Sequence, residues 1–181
     1  MACWAPLPQQ GANTKQEEHH RMDLTLTRRG DYVVRAAIAL ARAFPQGGYR
    51  KIREVAAEMH LPRTYTPQIL NLLAQAGLAE ARAGQQGGYR LLRDPATISL
   101  VEVVEAAEGP LRPDRCTLRD GPCRWEAMCP LHPAWERAVV ALRGSLQATS
   151  LASVSLVDAA LEAGGYPIPA QSHRKTPAPP C

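Results

Sequence analysis

The feature that most constrains this chain is a pair of short amphipathic segments followed by a glycine-rich hairpin. The first segment repeats Ile52, Val55 and Met59 at helical spacing and stops at a turn near Pro62, and the second stops at Gly77. The residues of the second segment that we expect to face the core are Ile69, Leu70, Leu72 and Leu73. Two short helices joined by a tight turn are typical of a helix-turn-helix, whose second helix enters the major groove of DNA.

The hairpin sharpens this prediction. Residues 78–82 and 89–92 predict two strands around the glycine-rich residues 83–88. Glycine allows positive φ angles and a close approach to a phosphate backbone, although a plain surface hairpin would show the same pattern. The predicted fold is therefore mainly α with a small β-wing, namely a winged helix-turn-helix domain.

Further helices flank this unit. One begins at the potential cap Thr27 and ends near Pro45, and another follows Asp94, with Ile98 among its apolar residues, and ends before Gly109. A later stripe has the spacing of a two-stranded coiled-coil seam, and its residues are Trp135, Val139, Leu142 and Leu146. Such a stripe is more often core, but little core remains here to receive it. We therefore predict a long dimerisation helix, then a short terminal helix.

These patterns divide the chain into five regions. Residues 1–21 are expected to be a disordered extension, with Met22 as an alternative start, and residues 163–181 a disordered tail. Between them we predict a winged helix-turn-helix domain at 22–110, a cysteine-rich loop at 111–132, and the dimerisation and terminal helices at 133–162.

Charge is distributed unevenly along the chain. Residues 22–93 carry eleven Lys and Arg against five Asp and Glu, a balance of +6, whereas residues 94–163 carry six against ten, a balance of −4. A basic front half suits contact with phosphates, although a solvated basic surface would give the same count. No run approaches the roughly 20 apolar residues of a membrane helix, and no secretory signal is present. We expect a cytoplasmic protein without membrane partners.

Three cysteines and a histidine cluster after the winged unit, at Cys116, Cys123, Cys129 and His132. In a reducing cytosol such a cluster favours metal binding or redox chemistry over disulfides, whereas Cys3 and Cys181 look incidental. Thiolates suit an iron–sulfur cluster, three cysteines with a histidine suit structural zinc, and bare thiols could switch by disulfide formation. No catalytic constellation is present, so we do not expect an enzyme.

Four segments together resemble one known family. They are residues 26–32, residues 85–91 in the wing, residues 98–109 behind it, and the cysteine-rich loop. In this order they resemble the winged-helix regulators that include the iron–sulfur cluster regulator IscR and the nitric-oxide sensor NsrR. The resemblance implies a homodimer that binds double-stranded operator DNA and carries an iron–sulfur cluster. It also implies a fourth ligand from Asp31 of the other subunit, with His132 as the alternative.

The chain departs from that family in three places. Ala83 stands where the family commonly has a minor-groove arginine, with Arg82 adjacent, and Pro67 falls early in the recognition helix. The first gap between cysteines has six residues where relatives often have five. The operator sequence therefore does not carry over from relatives.

The candidate DNA-binding residues lie in three places. Each is singly more often a solvated surface residue, but together they could contact base edges and phosphates. At the start of the third helix they are Arg63, Thr64, Tyr65, Thr66 and Gln68; before the first helix, Arg28 and Arg29; in the wing, Arg82, Gly87, Gly88 and Tyr89.

The sequence thus predicts a DNA-binding transcriptional regulator, with repression favoured, whose affinity is set by an iron–sulfur cluster that senses redox state, nitric oxide or cluster supply. A 2Fe–2S cluster is favoured over 4Fe–4S. The alternatives are a zinc-stabilised or thiol-switched regulator, a protein-binding adaptor without a cluster, and an electron carrier.

Overall fold

Six α-helices and one two-stranded sheet form the part of the chain described by the computed structural model, residues 25–111 and 128–165. The order is α1 Arg28–Ala43, α2 Ile52–Glu58, α3 Thr66–Gln75, β1 Ala79–Arg82, β2 Gly88–Leu91, α4 Leu100–Glu108, α5 His132–Ala148 and α6 Leu151–Glu162. Two short 3₁₀ turns, Phe44–Gln46 and Pro95–Thr97, follow α1 and precede α4. The predicted fold class, mainly helical with a small wing, is confirmed.

Helix α1 is the centre of the fold. Its cap is Thr27, as predicted, whose hydroxyl accepts a hydrogen bond from the Gly30 amide at 3.2 Å. Val33, Ala36 and Ala37 are fully buried. Since alanines bring helix axes close together, α1 can pack against α2, α3, α4 and α6 at once.

The helix-turn-helix forms as the sequence predicts. Helix α2 ends before His60, whose positive φ of 52° makes the turn, and α3 ends before Gly77, whose φ is 69°. The buried side chains of the two helices include Val55, Ile69, Leu70 and Leu73. A single hydrophobic core therefore fixes α3 against α1.

The wing is an antiparallel hairpin that pairs Ala79 with Leu91 and Arg82 with Gly88. The chain before α2 adds a short bridge, in which the Arg50 amide donates to the Tyr89 carbonyl at 2.8 Å and the reverse bond is 2.9 Å. The base of the wing is thereby held to the helix-turn-helix.

The predicted start of α4 was wrong. Asp94 caps the 3₁₀ turn, where its side chain accepts from the Ala96 amide, and not the helix itself. The helix begins at Leu100, where Ser99 and Glu102 form a capping box. Ile98 remains extended because its carbonyl accepts from the Leu151 amide at 2.8 Å, which joins the start of α6 to the core.

Helices α5 and α6 differ in burial. No residue of α5 is buried, and Val140 and Leu142 are 56% and 44% exposed. Helix α6 packs against α1 and buries Leu151 completely. The predicted N-terminal extension, most of the cysteine-rich loop and most of the tail lie outside the described residues.

Candidate DNA interface and metal centre

The start of α3 presents three of its five predicted DNA contacts to solvent, namely Arg63, Thr64 and Gln68. Tyr65 is half-buried, and its ring meets the Tyr32 ring edge-on at 6.1 Å. Helix α3 is thus anchored to α1 by an aromatic pair directly beside its exposed first turn.

Thr66 does not lie where the sequence suggested. Its side chain is fully buried, and its hydroxyl donates to the Pro62 carbonyl at 2.9 Å. The expectation that Thr66 is exposed for a DNA contact is therefore wrong, because the first turn of α3 rotates this residue into the core. Pro67 lies in the first turn of α3, where a backbone N–H would have no hydrogen-bond partner within the helix, so proline is tolerated there.

Two wing glycines are required by close packing of the backbone. A side chain at Gly87 would collide with the Arg82 carbonyl, and one at Gly88, whose φ is 148°, would collide with the Arg50 carbonyl. Gly84 at the tip has a φ of 104° and open space around it. The tip can therefore approach another molecule closely, whereas Gly87 and Gly88 shape the hairpin.

A polar cluster at the base of the wing was not predicted. Tyr49 donates to Glu80 at 2.8 Å, and Arg90 also donates to Glu80. The Tyr49–Glu80 hydrogen bond raises the pKa of Tyr49 and lowers the pKa of Glu80. The Arg82 and Arg90 guanidinium groups lie 5.8 Å and 4.8 Å from the Tyr49 ring centre. Tyr49 thus orients the exposed Arg82, next to the wing tip.

The start of α1 carries the remaining predicted DNA contacts. Arg28 and Arg29 are exposed and follow the cap residue Thr27 directly. The Glu108 carboxylate at the end of α4 accepts from the Thr27 amide at 2.9 Å and from the Thr27 hydroxyl at 2.7 Å. This long-range contact was also missed by sequence reasoning.

Of the predicted metal ligands, the structure describes Cys129, Asp31 and His132, while Cys116 and Cys123 lie outside the described residues. Cys129 is a half-buried free thiol, and its carbonyl accepts from the His132 amide at 3.2 Å. Asp31 lies in the first turn of α1 and pairs with Arg35 at 2.9 Å. Within residues 25–111 and 128–165, no three His, Cys, Asp or Glu side chains are grouped so that they could hold a metal ion.

Comparison with known proteins places these observations in context. The sequence matches the Rrf2 profile, described as an iron-dependent transcriptional regulator, over residues 26–156. No curated protein matched. Within the described ranges, no helix is both long and apolar enough to cross a membrane.

The solved structures that resemble the chain include two CymR structures and one IscR structure. CymR, the global cysteine regulator of B. subtilis, is 25% identical with a TM-score of 0.60, covering 75% of this chain and 98% of its own. IscR of T. potens is 27% identical with a TM-score of 0.59, covering 78% and 92%. An oxidized form of CymR from Staphylococcus aureus is 26% identical with a TM-score of 0.56, covering 73% and 96%.

Proposed function

Because the chain belongs to the Rrf2 family of DNA-binding transcriptional regulators, we propose that it is a cytoplasmic homodimer whose affinity for a pseudo-palindromic operator is set by an iron–sulfur cluster. Members of this family are regulators and not enzymes. Repression is the favoured mode, and the signal is redox state, nitric oxide or cluster supply. The observation that carries the cluster proposal is the set of three cysteines within the matched region, together with the family's description as iron-dependent.

The DNA contacts of this proposal come from three exposed places. Arg63 and Gln68 at the start of α3 can read guanine and adenine, respectively, in the major groove. Arg28 and Arg29 contact phosphates. Arg82, beside the Tyr49 ring, extends toward the DNA from the wing. Thr66 is buried and is therefore not among the proposed DNA contacts. Gly87 and Gly88 allow the close backbone packing of the wing.

A second copy of the chain is the proposed partner of α5. This 17-residue helix buries none of its own residues against the described chain, yet its predicted seam is apolar. Leu142 is exposed, while Trp135, Val139 and Leu146 are half-buried. A helix with such a stripe gains stability when the stripe packs on an identical stripe.

The donor chemistry of the chain fits an iron–sulfur cluster. Cys116, Cys123 and Cys129 would hold three positions, and Asp31 of the partner subunit, or else His132, would hold the fourth. Of the described donors, Cys129 is half-buried and forms no disulfide, and the Asp31 side chain is 43% exposed. When bound, a cluster supplies a redox-active and labile group, since oxygen and nitrogen ligands hold iron less firmly than thiolates do.

Ligation by Asp31 would act on the start of α1. Its carboxylate must leave Arg35, with which it forms a partly exposed pair of the i, i+4 type, a kind of pair typically worth about 0.3–0.5 kcal/mol. That cost is small, so the Asp31 carboxylate is available as a ligand. Arg28 and Arg29 lie in the same helical turn as Asp31. Ligation by Asp31 would therefore shift the part of α1 that we propose contacts phosphates.

The similarity to CymR favours a second candidate function. One relative is a global cysteine regulator, and another was solved in an oxidized form. In this alternative the same cysteines act as thiols that form a disulfide, or hold a structural zinc, without a cluster. DNA binding would then respond to oxidation of the thiols.

An anaerobic visible spectrum with iron, sulfide and zinc analysis separates the two candidates. We expect coloured protein that carries iron and sulfide, and we expect Cys123→Ala to lose the colour while its winged domain stays folded. Cys3→Ala, a cysteine outside the cluster, is the matched control and should keep the colour. Colourless wild-type protein with stoichiometric zinc would contradict the cluster proposal.

The same spectra address the fourth ligand. Asp31→Ala should shift the visible bands, because a carboxylate ligand is lost, whereas His132→Ala should leave them unchanged. A shift in His132→Ala alone would assign the fourth position to the histidine. Unchanged spectra in both variants would contradict both assignments.

A further inference from the structure

Two motifs that lie far apart in the sequence meet at one carboxylate. Glu108, the last residue of α4, accepts hydrogen bonds from both the amide and the hydroxyl of Thr27, 81 residues earlier. The Thr27 hydroxyl in turn accepts from the Gly30 amide and so caps α1. We call this contact the Glu108 latch.

The latch leaves little room for a side chain at residue 30. Gly30 is buried, and a Cβ atom at that position would collide with the Glu108 carboxylate. Its φ is not positive, so backbone conformation does not demand glycine here. An alanine at this position would therefore displace the flexible end of the Glu108 side chain, and with it the hydrogen bonds to Thr27.

A second carboxylate, one turn earlier, ties the same end of α4 to other parts of the chain. Glu105 accepts from the Leu111 amide at 3.0 Å and from Arg143 of α5. The last turn of α4 therefore joins the start of α1, the residue that leads into the cysteine-rich loop, and the proposed dimerisation helix.

We infer that Glu108 is a positioning residue for DNA binding. It fixes the place where α1 begins, and thereby holds Arg28 and Arg29 against the phosphates, while Glu105 links that place to Leu111 and α5. This inference rests on the proposed DNA contacts of Arg28 and Arg29. It assigns to Glu108 no contact with DNA or with a metal.

Affinity for DNA tests the inference because simple electrostatics predicts the opposite sign. Removing a negative charge near phosphates should by itself strengthen binding. A positioning role predicts that Glu108→Ala weakens binding about fivefold or more, since two hydrogen bonds that place α1 are lost. The slope of log affinity against log salt should also fall by about one to two phosphate contacts.

A second variant reaches the latch without changing charge. Gly30→Ala pushes the carboxylate away while it favours the helix, so it should weaken DNA binding in the same direction without loss of thermal stability. Thr27→Ser keeps the hydroxyl and should bind like the wild type, whereas Thr27→Val should not. Glu162→Ala, which removes a carboxylate at the opposite end of α1, should leave the salt slope unchanged.

The measurement uses full-length dimeric protein and one duplex that the wild type selects from a random-sequence pool, with fluorescence anisotropy at several salt concentrations. Cluster-loaded and cluster-free protein are both measured. Equal wild-type affinities of the two forms would count against cluster control and leave the latch prediction standing. An unchanged or stronger affinity of Glu108→Ala, or loss of its visible absorbance, would overturn the inference.

Discussion

The last turn of α1 is held by a half-buried network of charges, whereas its first turn is held by one carboxylate near the surface. At the last turn, Arg42 is 16% exposed and contacts Glu58 of α2 at 3.4 Å, Asp158 of α6 at 2.5 Å and Glu162 of α6 at 2.6 Å. At the first turn, the exposed Thr27 donates two hydrogen bonds to Glu108 of α4, at 2.9 Å and 2.7 Å.

This difference matters because the two ends carry different groups. The Arg42 network joins the helix-turn-helix to the terminal helix and thereby fixes the frame in which α3 is presented. The Glu108 latch lies beside Arg28, Arg29 and Asp31, the groups that we propose contact phosphates and the cluster. We therefore expect removal of the Arg42 network to act mainly on stability, and removal of the Glu108 latch to act mainly on DNA binding.

Removing Arg42 should have the largest effect on stability. Arg42→Met removes the cation that Glu58, Asp158 and Glu162 share, the first two of them largely buried. It should lower the free energy of unfolding by about 2 kcal/mol, after allowance for the exposed Glu162 and for Arg50, which still pairs with Glu58 at 2.6 Å. Urea unfolding measures this loss. Burial lowers the pKa of Arg42, but its bond to Glu162 and the charge of Asp158 outweigh this and raise it, so the guanidinium stays charged.

The matched control is Arg93→Met, which removes a more exposed pair with Glu102 and should cost less than about 1 kcal/mol. Glu108→Ala should fall near the control, at about 1 kcal/mol. If Glu108→Ala destabilised the protein as much as Arg42→Met, the two ends of α1 would not differ as we describe.

A smaller effect should appear at the other end of α4 and depend on pH. Burial raises the pKa of Glu102, but hydrogen bonds from Ser99 and Arg93 outweigh it and leave this pKa below its ordinary value of 4.5. The ionised form therefore stabilises the fold above pH 4.5, and this contribution is lost as pH falls through the lower folded-state pKa.

Glu102→Gln should accordingly cost about 0.5–1 kcal/mol at pH 7, and the difference from the wild type should shrink as pH falls below 4.5. Glu136→Gln, at an exposed position of α5, is the control. It should change neither the free energy of unfolding at pH 7 nor the dependence of that free energy on pH. A difference that grows toward acid pH would contradict this prediction.

Local signals in the sequence were sufficient for much of the fold. The Thr27 cap, the turns at His60 and Gly77, and the hairpin around Gly84 all depend on residues within a few positions of one another. The start of α4 also had a local signal, the Ser99–Glu102 capping box, but the proline turn after Asp94 was mistaken for the helix itself.

Contacts between distant residues could not be predicted in this way. Thr66 stands at an apparently exposed helix start, and only packing against the core shows that it is buried. Arg42 contacts Asp158 and Glu162, which follow it by 116 and 120 positions in the sequence. Glu108 contacts Thr27, which precedes it by 81 positions. Nothing in the spacing of these side chains along the chain reveals that they pair.

The most direct test of the proposed function is the affinity of cluster-loaded and cluster-free protein for the same selected duplex, measured anaerobically at one salt concentration. We predict a difference of at least about tenfold, in either direction, as is usual for coupling between two sites. We also predict that Cys129→Ala shows the cluster-free affinity under all conditions. Equal affinities of the two wild-type forms, with the cluster shown to be intact by its absorbance, would contradict the account.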